Sequence, residues 1–142
     1  MGLDQYGMIR NKQINFEKVY SDKYEPQKDG FVWRKHARLQ TFMAREFAKQ
    51  NPKVKTDEHS NLNGLGFNGD EHKVVITKDV LKRLENAIKE KYYNHFATDG
   101  FFWGHQFQEE QVKAYKKQDL EFIKFCKNAL EKKEVIEYSC SW

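Results

Sequence analysis

Aromatic side chains have to build the core of this chain. Hydrophobic residues make up 39% of its 142 positions and charged residues 32%. An ordinary globular domain has about 45–50% apolar residues. The eleven Phe, seven Tyr and three Trp make up the shortfall, because each of these side chains buries a large area. A chain of this length predicts a single domain, 1–142, with enough interior to fold without a disulfide or a metal. Collagen-like and coiled-coil repeats are absent from it. No apolar run approaches the roughly 18 residues that span a bilayer, so no membrane partner is expected.

Charge is mixed in sign. The net charge is +4 and the isoelectric point about 8.9, just under the value of about 9 that marks a nucleic-acid-binding domain. The two cysteines, Cys126 and Cys140, form no CxxC or Cys/His quartet. Neither a metal nor a cofactor is therefore expected. Met1-Gly2-Leu3-Asp4-Gln5-Tyr6 lacks the basic and apolar regions of a secretory leader, and Tyr6 stands where a myristoylation start carries Ser or Thr. The expectation is a cytosolic protein with reduced thiols.

Hydrophobic periodicity predicts the elements. A short strand falls within 1–10, followed by a polar, flexible loop near 11–30. A helix from Phe31 to about Gln50 ends before Pro52. A second flexible loop, near 51–72, contains Gly64-Leu65-Gly66-Phe67-Asn68-Gly69. That run matches GxGxxG, but no strand precedes it and a strand follows it, so it is not read as a dinucleotide site. Lys73–Ile76 reads as a strand. Thr77 then caps a helix from Lys78 to about Tyr93, and a long helix runs from about Glu109 to Lys132. The chain closes on a strand in which Ile136, Tyr138, Cys140 and Trp142 alternate with Glu137, Ser139 and Ser141, so one face is buried. The predicted class is α+β: a small, mostly antiparallel sheet that includes both chain termini, with three main helices packed on one face.

Three clusters are candidate chemistry. On the helix predicted from Phe31, His36 falls among Val32, Leu39, Met43 and Phe47, flanked by Trp33 and Phe42. Arg34, Arg38, Arg45 and Lys49 share another face, a candidate phosphate or nucleic-acid stripe. On the last helix Asp119 lies inside the stripe of Val112, Tyr115, Phe122, Ile123, Cys126, Ala129 and Leu130. A buried carboxylate needs a partner, so Asp119 is expected to meet His36 or Arg34. Imidazole titrates near neutrality, which makes His36, Asp119 and the more distant His105 candidate acid–base groups, although a structural polar pair is the preferred reading. In Gly100-Phe101-Phe102-Trp103-Gly104, Phe102 and Trp103 can complete the core or line a pocket and stack on a base.

Four segments resemble a family of small bacteriophage and cyanophage proteins. They are Met1-Gly2-Leu3-Asp4-Gln5-Tyr6, then Trp33-Arg34-Lys35-His36 with Leu39-Gln40, then Gly100-Phe101-Phe102-Trp103-Gly104, and Tyr138-Ser139-Cys140-Ser141-Trp142. Family members similarly carry a third Phe where this chain has Trp103, and a Ser where it has Cys140. The resemblance implies a phage source and action in the host cytoplasm, and it implies no activity.

Three functions follow as expectations. The first is an accessory binding protein, for host takeover or counter-defence, that contacts a host protein or a small ligand. The second is an enzyme or sensor of a phosphorylated, nucleotide-like molecule. In it Arg34 and Lys35 hold phosphate, Trp33, Phe102 and Trp103 complete the ligand site, and His36 with Asp119 exchange protons. The third is a nucleic-acid binder using Arg34, Arg38, Arg45 and Lys49.

Overall fold

Alternation at the C-terminal end makes a central strand. In the computed structural model, which describes residues 3–52, 72–90 and 111–141, β4 (Ile136–Ser141) buries Ile136, Tyr138 and Cys140 and turns the residues between them outward. It pairs antiparallel with β1 (Asp4–Ile9), from Asp4 opposite Ser141 to Ile9 opposite Ile136. On its other side it pairs with the short β3 (Val74–Val75), while β2 (Phe31–Arg34) lies outside β1. The sheet order is β2-β1-β4-β3, antiparallel throughout. Strands from the two ends of the chain are thus its centre, and the expected α+β class holds.

Helices α3 (Ala37–Gln50), α4 (Lys78–Lys89) and α5 (Val112–Glu131) cover the inner face. Leu39, Met43 and Phe47 of α3, Val80, Leu84 and Ile88 of α4, and Phe122, Ile123 and Cys126 of α5 form one core with the inward strand residues. Its middle is aromatic, as the composition requires. Trp33 meets Phe122 edge-on with ring centroids 5.0 Å apart, and Phe31 packs against Phe122 at 5.2 Å and Phe125 at 5.4 Å. These tilted geometries set positive ring edges against negative ring faces. β1 passes close beneath this cluster at Gly7, where a Cβ would sit 2.6 Å from the Phe122 ring.

Local chemistry fixes the ends and the joints. The Thr77 hydroxyl accepts the Val80 amide at 3.2 Å, capping α4 as its sequence predicts. Arg83 of α4 reaches the buried Glu46 of α3 with Nη2 at 2.6 Å and Nε at 3.0 Å from its two carboxylate oxygens. That hydrogen bond holds the guanidinium above its ordinary pKa. Lys127 of α5 lies 2.6 Å from Glu85 of α4 and holds that carboxyl below the usual range.

Two expectations are corrected. The helix predicted from Phe31 begins at Ala37, and Phe31–Arg34 is strand β2. Phe31, Val32 and Trp33 are all buried. A short apolar run of this kind has no period to tell strand from helix, and Lys35, at φ 56°, breaks the chain between the two elements. The segment near 11–30, read as a loop, holds two one-turn helices, α1 (Phe16–Val19) and α2 (Pro26–Asp29). Asn15 caps the first. Asp29 is buried and accepts the Glu25 amide at 2.9 Å, and the Tyr24 hydroxyl donates to Gly30 at 2.6 Å. The predicted loop near 51–72 lies almost wholly outside the described residues.

Side chains close the outer edges of the sheet. The outward carbonyls of β2 accept from α5: Tyr115 donates to Arg34 at 2.7 Å and Gln118 to Val32 at 3.2 Å. At the opposite edge Gln50 accepts the Val75 amide at 2.9 Å and donates to the Val75 carbonyl at 2.8 Å. Backbone groups that would otherwise recruit a further strand are satisfied there.

Gly7→Ala is expected to overpack the Phe122 cluster and cost about 1–3 kcal/mol. This would be read as a lower urea midpoint with an unchanged slope. A midpoint equal to that of wild type would mean the ring has room to move.

Candidate functional site

The sequence placed one ionisable side chain in each of two apolar stripes, and the fold brings them together. Lys35 turns the chain after β2, its amide donating to the Leu3 carbonyl at 2.8 Å, and this aims His36 inward at the start of α3. Asp119 projects from the buried face of α5. The imidazole Nε2 lies 2.9 Å from Asp119 Oδ2, and the Trp33 indole donates to Oδ1 at 3.1 Å. The Tyr115 ring stacks on the imidazole, nearly parallel, at 4.0 Å.

A second polar chain runs beside the first. The Gln5 side chain grips the backbone of His36 in both directions, accepting its amide at 2.9 Å and donating to its carbonyl at 3.0 Å. Gln5 also donates to the Tyr138 oxygen at 2.9 Å. Tyr138 donates to Gln40 at 2.6 Å, and Gln40 donates to Cys140 Sγ at 3.3 Å. Burial makes such pairing obligatory: Gln5, His36, Gln40, Tyr138 and Cys140 are each 0% exposed and Asp119 is 1% exposed.

The candidates divide sharply. His36, Asp119 and Trp33 meet. Arg34 points to the other side of the sheet, 3.3 Å from Asp4, and Lys35 sits half-buried in the turn. The stripe expected from Arg34, Arg38, Arg45 and Lys49 does not form one surface. Arg34 is on a strand, Arg38 is fully buried, and only Arg45 and Lys49 are exposed on α3. Phe102, Trp103 and His105 lie outside the described residues. Cys126 is a core residue whose thiol is pushed up by burial, and Cys140 is enclosed. Gln5, Gln40, Tyr115 and Tyr138 were not singled out as site residues. Their signal was a polar or phenolic group at an inward position: Gln5 in β1, Gln40 beside Leu39, and Tyr138 in the alternation of β4.

An imidazole oriented by a carboxylate is the core of an acid–base device. Here both carboxylate oxygens are engaged inside the protein. Two concave surfaces among the described residues lie elsewhere. One is a groove of about 640 Å³ on the outer face of the sheet, lined by Tyr6, Met8, Ile14, Phe16, Ser139 and Ser141, with Arg10, Lys73 and Glu137 at its rim. Phe16, 48% exposed, meets Tyr6 edge-on at 5.9 Å, and Glu137 pairs with Arg10 at 3.1 Å. The other, about 410 Å³, lies between α4 and α5. Among the described residues no group of three or more His, Cys, Asp or Glu is placed to hold a metal, and no helix is long and apolar enough to cross a membrane. Compared with protein-family models, curated proteins and solved structures, the chain matches none.

Asp119→Ala leaves the indole and the imidazole without their acceptor in the core. A loss on the order of 3 kcal/mol is expected by urea denaturation, with Asp119→Asn less damaging. Wild-type stability in the alanine variant would show that the carboxylate is dispensable. Burial also pushes the Tyr24 phenol up to about 12 and raises those of Tyr115 and Tyr138. The unfolded chain releases these protons near pH 10 and the Cys126 proton near 8.5. The native state holds them longer, so stability is complete below about pH 8.5 and falls as pH rises beyond it. The urea midpoint should decline steadily between about pH 9 and 11, and a flat profile would contradict the buried phenols.

Proposed function

We propose that this chain is an accessory binding protein of phage origin that acts in the host cytoplasm by engaging a host protein through the outer face of its sheet. The observation that carries this reading is the outer groove, whose lining includes Phe16, half-exposed and packed against Tyr6. A few residues, aromatic ones prominent among them, supply most of the binding energy of many protein interfaces. The small Ser139 and Ser141 leave room over β4, and the paired charges of Arg10 and Glu137 give the groove a polar rim. His36 and Asp119, by contrast, are enclosed. The phage source and the host setting rest on the family resemblance.

The hydrogen bond between His36 and Asp119 favours a second reading, an enzyme or sensor of a phosphorylated, nucleotide-like molecule. Affinity capture from infected-host lysate separates the two, with mass spectrometry of retained proteins and small molecules. A host protein retained by wild type and lost with Ser139→Arg or Phe16→Asp, at unchanged melting temperature, is the expected result. Retention of one nucleotide by wild type and Ser139→Arg alike, lost with Asp119→Asn, would replace the first reading with the second.

A further inference from the structure

We infer that the solvent face of α5 is a docking surface for the phosphate backbone of duplex DNA. The apolar side of α5 is taken up by the core, and its opposite side carries lysine. At 100° per residue, Lys113, Lys117 and Lys124 fall in one row and Lys116 and Lys127 in another, with Leu120, 48% exposed, between them. All five lysines are exposed. From Lys113 to Lys127 the rows extend along about 21 Å of the helix axis.

These charges contrast with four cations elsewhere in the fold. Arg10, Lys12, Arg34 and Arg83 each lie beside a carboxylate. Lys113, Lys116, Lys117 and Lys124 form no ion pair with any described residue. Lys127 reaches Glu85, which Lys89 also approaches at 3.9 Å. Lys127 also lines the groove between α4 and α5, together with Lys78 and Lys82, the apolar Leu81 and Leu130, and the carboxylates Glu85 and Glu131. A row of unmatched cations repels itself and attracts a polyanion.

The form of the row selects among polyanions. The aromatic residues of α5 (Tyr115, Phe122 and Phe125) are all buried, so this face has no platform on which unpaired bases can stack. Two rows of lysine about 70° apart on one face of the helix suit phosphates along a B-form major groove, about 12 Å wide, which admits a helix. The major groove of A-form RNA is too narrow. An amphipathic helix lying on a membrane turns its apolar side to lipid, and here that side is inside the protein. Lysine contacts to phosphate position a protein without reading sequence. The binding is therefore sequence-independent, and it uses a different surface from the outer groove of the sheet, so either proposal can fail alone.

The test is fluorescence anisotropy with a 20-base-pair duplex of arbitrary sequence, between about 50 and 200 mM salt. Neutralising four or five phosphates predicts a slope of log affinity against log salt of about −4. Combined Lys113→Glu, Lys117→Glu and Lys124→Glu should weaken binding at least tenfold at unchanged melting temperature. The milder pair Lys116→Gln and Lys124→Gln should flatten the slope by about 2, and Phe16→Asp should leave binding unchanged. Each of the following would overturn the inference: no binding at the lowest salt, lysine variants that bind like wild type, tighter binding of single-stranded DNA or duplex RNA, or binding to phosphatidylserine vesicles but not to DNA.

Discussion

One carboxylate holds three parts of the chain together. Asp119 takes the Trp33 indole on one oxygen and the His36 imidazole on the other, tying β2 and the start of α3 to the middle of α5. An uncompensated carboxylate in such a place is strongly disfavoured. Only a packing that brings both donors to it is tolerable, and a slip of α5 by one turn would carry it away from both. Apolar packing is forgiving of shape, whereas this contact accepts one arrangement. Gln5, pairing with both backbone groups of His36, applies the same discipline to β1. Tyr138 and Gln40 extend it to β4 and α3.

The clearest features in the sequence were those with a repeating pattern. β4 shows itself through Ile136, Tyr138 and Cys140, and α5 through a stripe long enough to make Asp119 conspicuous within it. The expected contact between His36 and Asp119 followed from a simple rule about buried charge, without knowledge of how the strands are ordered. What was misread had no period of its own. Phe31–Arg34 is four residues long, and its Val32 happens to fall at helical spacing, seven residues, from Leu39, with Trp33 flanking. Arg38 looked like surface for the same reason: once the helix is taken to begin at Phe31, Arg34 and Arg38 line up four residues apart. Partners that belong to distant segments, such as Gln5 with His36, leave no local trace.

On the proposed reading, the side of the sheet that holds the fold together is not the side that engages a host protein. The inner side holds the aromatic cluster and the polar chain, and few changes there are neutral. Its outer side carries small or moderately polar residues, Ser139 and Ser141 among them, whose replacement disturbs little packing. A chain with so few aliphatic residues gains from this division. Among the described residues the large rings are concentrated where they are covered, and the exposed ones, Phe16 and Tyr20, stand out against the polar surface.

The amide of Gln50 and the side chains of Tyr115 and Gln118 act as substitutes for neighbouring strands. A peptide approaching Val75, or the outward carbonyls of Val32 and Arg34, meets groups already engaged, so main-chain zippering offers it nothing at those positions. On the proposed reading, a host protein that docks on the outer groove is distinguished by the contour and charge of its side chains. Selectivity of that kind turns on individual contacts, so a companion under selection can escape through one well-placed substitution.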